Sequence, residues 1–338
     1  MNFFHTNETP NLNNKFFNEK KNLLKYLPKI LIISGGSRNG NHLVWSLLDG
    51  NKDLPYLPGE DKFLSGVFWQ NFRNFKKFKK NFLKNKHVLM RMLSGVTYDK
   101  WEKIFNKKVN KKKWAGAYES LSAPLMEFPD SIQKINYKKY KNFLKKNLNI
   151  KFNFYELFKV YLNAYSLLSP QKKNSKYKYI YAESGLRREL LYLLNSRTPL
   201  KCIVPVRKFE SYFFSKIKSK FGNVNLTKKN IKEAWEQWYH KTNDYLFLKK
   251  KFPNKIILVL YEDLASIQKR EVTIKKILKK INIKFNKINL KPTHFKQAVI
   301  PNSSFGKKRL QKKKLLFPKK KLPKDYFEIY KHVQKYSY

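Results

Sequence analysis

A short apolar strand that runs into a glycine-rich loop and then into a helix is the feature that most constrains the fold. Residues 29–34 form a β-branched apolar run, which is typical of a strand buried on both faces. Gly35, Gly36 and Gly40 lie in the loop behind it, and 43–48 reads as a helix. Such a loop offers an anion several backbone N–H groups and the positive end of the helix dipole. The sequence therefore predicts an anion site where this strand ends.

Strand and helix signals alternate again in the second half of the chain. The strand candidates are 178–181, 201–206 and 255–261, and the helix candidates are 185–195, 209–220, 230–251 and 267–281. Strands that alternate with helices indicate a parallel sheet covered by helices on both faces. The predicted fold class is therefore α/β: a three-layer parallel sheet with a P-loop-like loop, plus a mostly helical insertion.

The chain divides by composition into four parts. Residues 1–28 are polar and rich in Asn and Lys, which predicts a mobile leader. Residues 29–310 are predicted to be the α/β domain, and 63–176 within it are rich in Lys, Phe and Tyr with apolar residues at helical spacing, which indicates the helical insertion. Residues 311–338 are predicted to be a basic tail or helix.

The glycine loop resembles a nucleotide P-loop in spacing but not in chemistry. Gly35 and Gly40 have the G-x-x-x-x-G spacing, but Asn41 and His42 follow where a P-loop has Lys and then Ser or Thr. The cation lies inside the loop instead, as Arg38. This pattern suits a short anionic group bound without magnesium; the alternative is an ordinary strand-to-helix turn that carries an exposed charge.

The charge of the chain has two interpretations. Against 74 Lys and Arg there are 23 Asp and Glu, so the net charge is +51 and an anionic partner is expected. However, 65 of the basic residues are lysine, and lysine with abundant Asn, Ile, Phe and Tyr is the composition that an AT-rich coding sequence produces. Specific nucleic-acid binding is not expected, because the lysines are spread along the chain and no nucleic-acid-binding signature is present.

Cysteine, histidine and hydropathy exclude further classes. One cysteine, Cys202, makes no internal disulfide and suits a reducing compartment, and the six histidines are far apart, so no metal site is expected. No signal peptide or membrane-spanning run of apolar residues is recognised. The predicted location is the cytoplasm, with peripheral contact to an anionic membrane through the lysines as an additional expectation.

Three further motifs follow the loop in a fixed order. Arg207 ends the third strand candidate, and Ser215 lies about two turns into the next helix, where both could converge on a second phosphate. The run 261–264 reads Tyr-Glu-Asp-Leu and follows the last strand, and the run 302–305 reads Asn-Ser-Ser-Phe.

In this order the motifs resemble those of sulfotransferases that use 3′-phosphoadenosine 5′-phosphosulfate, including the tyrosylprotein and carbohydrate enzymes. The resemblance covers residues 29–310 and is silent across the insertion. It implies a nucleotide co-substrate and no metal. It assigns the co-substrate to Gly36, Ser37, Arg38, Asn39, Gly40, Asn41 and His42 at the 5′ end, and to Arg207, Ser215, Ser303, Ser304 and Lys307 at the 3′ end and over the nucleotide. Asn39, Asn41 and His42 stand where the family usually has hydroxyl side chains.

The resemblance also implies the reaction, an in-line attack of an acceptor on sulfur. Arg38 would neutralise charge on the sulfonate, and His42 would hold the phosphosulfate or act on the acceptor, unless it is structural. Glu60 or Asp61 is the candidate general base, with Glu183 in reserve. The alternative for Glu60 and Asp61 is a pair of turn-capping acids beside Pro58 and Gly59.

The acceptor is predicted to be a hydroxyl group of a carbohydrate or glycan, because aromatic rings stack on sugars and lysines pair with acidic groups. A protein tyrosine, a lipid-linked sugar and a small phenol stay open as acceptors. Two alternative functions stay open at this point: a basic nucleic-acid-binding protein and a P-loop nucleotide kinase.

Overall fold

A computed structural model provides the structure of the chain. It describes residues 29–54 apart from 37 and 50, then 142–143, 163, 179–183, 188–195, 200–221, 227–291, 293–294, 297–298, 317–318 and 321–337. The predicted leader lies outside the described residues, and so does the predicted insertion except for 142–143 and 163, which are helical.

Four strands form a parallel sheet in the order β2-β1-β3-β4. They are β1 (Lys29–Ile33), β2 (Tyr179–Glu183), β3 (Leu200–Val206) and β4 (Ile256–Leu260). β1 pairs with β2 on one side and with β3 on the other, and β3 pairs with β4. The chain therefore moves one way from β1 to β2 and then crosses to the other side for β3. This reversal makes the carboxyl ends of β1 and β3 the topological switch point, where open α/β sheets bind ligands.

Helices follow the strands as predicted. They are α1 (Asn41–Asp49), α2 (Arg188–Asn195), α3 (Phe209–Phe221), α4 (Lys228–Lys251), α5 (Tyr261–Ala265), α6 (Ile267–Lys280) and α7 (Tyr326–Tyr336). A 3₁₀ turn, Lys287–Leu290, and a two-stranded ribbon, β5 (Thr293–His294) with β6 (Gln297–Ala298), follow α6. The prediction of an α/β fold with a parallel sheet is confirmed. Several boundaries differ from the predicted ones by one to three residues. The last strand ends at Leu260, and Tyr261, predicted to belong to it, already begins the short helix α5.

Strands β1 and β4 are buried on both faces of the sheet. Every residue of β4 is buried, and so is every residue of β1 after Lys29. Since successive side chains of a strand point to opposite faces, this pattern needs cover on both sides. The continuous apolar runs that the sequence shows at 30–33 and 256–260 therefore report this two-sided burial.

The end of the chain packs onto the sheet domain through α7. Tyr326, Tyr330 and Val333 of this helix are buried, and Ser337 forms a bridge with Leu258 beside β4. The hydroxyl of Tyr326 donates a hydrogen bond of 2.8 Å to Glu210 of α3. Burial and this bond raise the pKa of Tyr326. Residues 326–336, in the segment predicted to be a basic tail or helix, are thus a helix held by buried aromatic contacts.

A buried asparagine pair joins the end of α1 to the 3₁₀ turn. Asn289 is fully buried; its side-chain N–H donates to the carbonyl of Leu47 at 2.8 Å, and its side-chain oxygen accepts from the Asn286 N–H at 3.2 Å. Asn51 donates to the same oxygen at 3.3 Å and to the carbonyl of Lys284 at 3.1 Å. These bonds satisfy backbone groups that would otherwise be buried without partners, and they fix the end of α1.

Replacement of Asn289 should therefore destabilise the fold. We expect Asn289→Ala to lower the free energy of unfolding by about 1–3 kcal/mol, because the Leu47 carbonyl and the Asn286 N–H lose their partner. Urea unfolding would measure this change. Lys287→Ala, at an exposed position of the same turn, is the control. A loss for Asn289→Ala no larger than that of the control would contradict this role.

Candidate functional site

The loop between β1 and α1 lies at the switch point of the sheet. It begins at Ser34, whose N–H donates to the carbonyl of Ile203 in the neighbouring strand β3 at 2.9 Å. It ends at Gly40, whose carbonyl accepts from the N–H groups of Leu43 and Val44 in the first turn of α1. The first N–H groups of a helix have no acceptor within the helix, so this end carries a partial positive charge. The glycine loop and the helix N terminus thus meet as the sequence predicted.

The side chain of Asn41 closes this loop. Its amide oxygen accepts from the Gly35 N–H at 2.7 Å, and its amide N–H donates to the Gly35 carbonyl at 2.7 Å. This reciprocal pair ties the first residue of α1 to the second residue after β1. Both functional groups of the Asn41 amide engage Gly35, so this side chain fixes the shape of the loop. The predicted contact of Asn41 with the co-substrate stays a prediction.

Two residues of the loop have left-handed backbone conformations. Arg38 has φ of 73°, and Gly40 has φ of 108°. The ring of Tyr261 lies where a Cβ of residue 40 would be, so only glycine fits this position. A non-glycine residue such as Arg38 is strained in this region, and such strain concentrates at ligand-binding loops. Arg38 itself is exposed, and Asn39 beside it is buried.

Arg207 connects the end of β3 to the loop. Its Nη1 donates to the carbonyl of Arg38 at 3.3 Å, and its guanidinium carbon lies 3.9 Å from the ring centroid of Tyr261. The carbonyl of Arg207 accepts from the indole N–H of Trp238 at 2.7 Å. The Nε atom of Arg207 is buried and has no hydrogen-bond partner among the described residues. A buried guanidinium N–H of this kind is suited to an anionic ligand.

Glu262 brings a buried carboxylate to the same edge. Its Oε1 accepts from the Lys208 N–H at 3.0 Å, and its Oε2 is buried without a hydrogen-bond partner in the described part of the chain. Burial raises the pKa of the Glu262 carboxyl, against the opposing effects of the Lys208 N–H and the Arg207 guanidinium. Glu262 also lines a cavity of about 290 Å³ at the end of β4, together with Lys208 and Tyr330.

A face of α4 lies against the loop, and sequence reasoning missed it. A Cβ at Gly36 would lie 2.6 Å from Cδ of Lys241 and 3.2 Å from the hydroxyl oxygen of Tyr245. The absence of a side chain at Gly36 therefore permits the close approach of these side chains to the backbone of the loop. Trp238, Lys241 and Tyr245 have the i, i+3, i+7 spacing of one helix face, which is the signal that the sequence contains. The spacing alone does not say what this face contacts.

Three other predicted site residues, Ser215, His42 and Glu183, lie in α3, α1 and β2. Ser215 is half-buried in the second turn of α3, and its convergence with Arg207 on one phosphate stays a prediction. The ring of His42 makes an edge contact with Trp45 at 6.5 Å between centroids. Glu183 ends β2, and its backbone pairs with Ile33, the last residue of β1. The predicted residues outside the described part of the chain are Ser37, Glu60, Asp61, Ser303, Ser304 and Lys307.

The described residues contain neither a candidate metal-binding group nor a candidate membrane-spanning helix. No group of three or more His, Cys, Asp or Glu side chains is arranged to hold a metal ion among them. None of the described helices has the length and apolar character needed to cross a membrane.

Among known proteins, the chain is similar to solved structures of sulfotransferase domains. The chain is similar to the sulfotransferase domain from the Synechococcus PCC 7002 olefin synthase, at 13% identity and a TM-score of 0.49, over 95% of this chain and 97% of that one. It is also similar to the sulfotransferase domain from the curacin biosynthetic pathway, at 12% identity and a TM-score of 0.46, over 91% of this chain and 98% of that one. Both neighbours are sulfotransferase domains.

No family model matches the sequence, and no curated protein matches it. At such low identity the function has to be argued from the site residues.

The buried carboxyl of Glu262 should make stability depend on pH. A carboxyl whose pKa is raised by folding stays protonated in the folded chain at pH values where it already ionises in the unfolded chain. Its contribution to the free energy of unfolding is therefore complete below its ordinary pKa of 4.5 and is lost as the pH rises above that value. We expect the unfolding free energy of the wild type to fall relative to that of Glu262→Gln over this range. Urea unfolding at a series of pH values would measure the difference.

Glu271→Gln is the matched control, because it removes one carboxylate from α6 where the side chain is about half exposed. Parallel curves for the wild type and Glu262→Gln, or a difference of the opposite sign, would contradict the buried state of Glu262.

Proposed function

We propose that the protein is a sulfotransferase that moves the sulfonate group of 3′-phosphoadenosine 5′-phosphosulfate to an acceptor hydroxyl. The observation that carries this proposal is the position of Arg207. Its guanidinium lies at the end of β3, bonds to the loop after β1 and keeps a buried Nε N–H without a partner among the described residues. Two anion-binding elements thus meet at the switch point of a parallel sheet, where a nucleotide with two separated phosphate groups could bridge them.

The first element suits the 5′ end of the co-substrate. The loop offers backbone N–H groups, the N terminus of α1 and the cation of Arg38 to one anionic group. The loop residues assigned to the co-substrate remain in the proposal, and the Asn41 side chain also closes the loop. They are Gly36, Ser37, Arg38, Asn39, Gly40, Asn41 and His42. We retain the P-loop-like character of this loop, within a three-layer α/β domain, as part of the proposal.

The second element suits the 3′-phosphate. Arg207 presents a planar, permanently charged group, and Ser215 follows it in the second turn of α3. Stacking on Tyr261 and the bond from Trp238 limit the freedom of Arg207. A guanidinium held in place loses little entropy on binding, which favours affinity for the phosphate. Ser303, Ser304 and Lys307 complete this part of the proposal as residues that close over the nucleotide.

The chemistry asks the protein for position and charge compensation. The acceptor oxygen forms a bond to sulfur, the bond from sulfur to the bridging phosphate oxygen breaks with its electron pair, and adenosine 3′,5′-bisphosphate leaves. The proton of the acceptor passes to a carboxylate, for which we propose Glu60 or Asp61, with Glu183 at the end of β2 in reserve. Arg38 would offset the charge that develops on the sulfonate and the bridging oxygen; loss of such a donor typically lowers the rate about 10²–10³-fold.

A P-loop kinase is less well supported. Such an enzyme needs a lysine directly after the second glycine of the loop and a hydroxyl for magnesium after it. Here that first position is Asn41, whose side chain is bonded to Gly35. The loop therefore lacks the lysine that contacts the β and γ phosphates, and His42 lacks the hydroxyl.

For the acceptor we propose a hydroxyl group of a carbohydrate or glycan, on the Lys-rich and aromatic composition of residues 63–176. We expect a screen of acceptors with radiolabelled co-substrate to show transfer to saccharides. Phenols serve as the comparison class, and transfer to phenols alone would contradict the proposed acceptor.

The donor site is tested by calorimetric titration with adenosine 3′,5′-bisphosphate in the absence of magnesium. We expect the wild type to bind at micromolar concentration or tighter, and ATP not to match it. Arg207→Met should weaken binding about 10–150-fold, because hydrogen bonds between charged groups contribute about 1.5–3 kcal/mol. Arg207→Lys keeps the charge and should recover part of the loss.

Lys201→Met is the matched control for Arg207→Met. Lys201 lies at the start of β3, whereas Arg207 directly follows its end. Lys201→Met therefore removes one positive charge at the end of the strand away from the loop, where Lys201 contacts Asn254. Thermal unfolding of each variant would show whether it is folded at the temperature of titration. Absence of binding by the folded wild type, or equal binding of ATP, would exclude the proposed donor, and salt-dependent binding to DNA or RNA at nanomolar concentration would favour the nucleic-acid alternative.

A further inference from the structure

We propose that Lys241 of α4 is a second cation of the donor site and binds the 5′-phosphosulfate beside the loop. This inference rests on the proposed function and assigns a residue that none of the sequence motifs contains. It follows from the contact between α4 and the loop, and from the identity of the residue at position 41.

The stem of Lys241 lies on the backbone of the loop. A Cβ at Gly36 would lie 2.6 Å from Lys241 Cδ, closer than non-bonded carbon atoms approach, so the absence of a side chain at residue 36 permits this contact. Gly36 is the residue directly before Ser37 and Arg38, in the part of the loop that turns toward α1. The lysine therefore runs along the loop that we propose to hold the phosphosulfate.

The ammonium group is confined to the same region. It is two covalent bonds beyond Cδ, about 2.5 Å, and Nζ lies 5.7 Å from the ring centroid of Tyr212 in α3. Tyr212 is buried, and α3 is the helix that also carries Ser215. The charge thus lies between the glycine loop and α3, the two elements that would contact opposite ends of the co-substrate.

The face of α4 that carries Lys241 serves both ends of the site. Trp238, one turn before Lys241, donates to the carbonyl of Arg207 at 2.7 Å. Tyr245, one turn after it, is buried with its hydroxyl oxygen 3.2 Å from the Cβ position of Gly36. Two turns of one helix thus support Arg207 and the loop, and Lys241 is the charged residue between the two aromatic residues.

The chemistry of the loop explains why a cation is useful there. A P-loop places a lysine directly after its second glycine, but this chain has Asn41 at that position and uses its amide to close the loop. Lys241 brings a compact ammonium charge to the loop from a different element. Together with Arg38 it would offset the charge of the sulfonate and of the 5′-phosphate.

The test compares nucleotides that differ in one phosphate. Lys241→Met keeps an unbranched apolar stem against Gly36 and removes the charge, and Lys241→Arg keeps a charge. We expect Lys241→Met to weaken adenosine 3′,5′-bisphosphate binding about 10-fold or more and to leave adenosine 3′-monophosphate binding unchanged, because only the first ligand has a 5′-phosphate. Lys241→Arg should recover most of the affinity, and Arg207→Met should weaken both ligands.

Lys232→Met, at an exposed position of the first two turns of α4, controls for the loss of one positive charge from the helix. An equal loss of affinity for both nucleotides in Lys241→Met would assign Lys241 a purely structural role and overturn the inference. Unchanged affinity for the bisphosphate would overturn it as well, while the proposed function would stand because the wild type binds. If the folded wild type binds neither nucleotide, the proposed function fails and this inference fails with it.

Discussion

The hydrogen bond from Arg207 to the carbonyl of Arg38 is the contact on which the geometry of the site depends. It joins the end of β3 to the loop after β1, two segments that are 169 residues apart in the chain. The guanidinium can make this bond because Tyr261 supports it from one side and Trp238 holds its backbone carbonyl. Tyr261 in turn packs on Gly40, which has no side chain to prevent it. One arginine thus connects the segments that follow β1, β3 and β4 at the edge of the sheet.

Charge at this edge is arranged by burial. Arg207 and Glu262 both have a buried polar atom without a hydrogen-bond partner among the described residues, and the Arg207 guanidinium acts against the burial that raises the pKa of the Glu262 carboxyl. An uncompensated group of this kind costs free energy in the folded chain, so the fold accepts a local loss of stability here. Polar atoms are left in this state where a ligand is to supply the partner, as in preorganised binding sites. The surplus of lysine over the whole sequence, by contrast, says little about this edge, because the proposed donor site uses only a few cations, Arg38, Arg207 and Lys241 among them.

The elements that the sequence predicted are those whose signals are local. The strands at 29–34, 201–206 and 255–261 were recognised by continuous apolar runs, and the structure places β1, β3 and β4 there with small changes at their ends. Tyr261 was assigned to the last strand because it continues the apolar run of that strand. In the structure it begins a helix, and its ring packs against Gly40. The glycine loop and Arg207 lie together because both follow strands of one parallel sheet. The bond of the Asn41 side chain to Gly35 was not predicted, because no sequence pattern encodes it.

The sequence by itself determined the order of strands and helices, the glycine loop and the edge of the sheet at which a ligand would bind. These properties follow from the hydrophobic period, from the conformational freedom of glycine and from the common direction of parallel strands. The tertiary structure decided which side chains reach that edge. Lys241 and Tyr245 lie some 200 residues from Gly36 in the chain and meet it only because α4 packs beside the loop. Contacts between distant segments depend on how complete elements pack, and a helix face with i, i+3, i+7 spacing does not specify its partner before that packing is known.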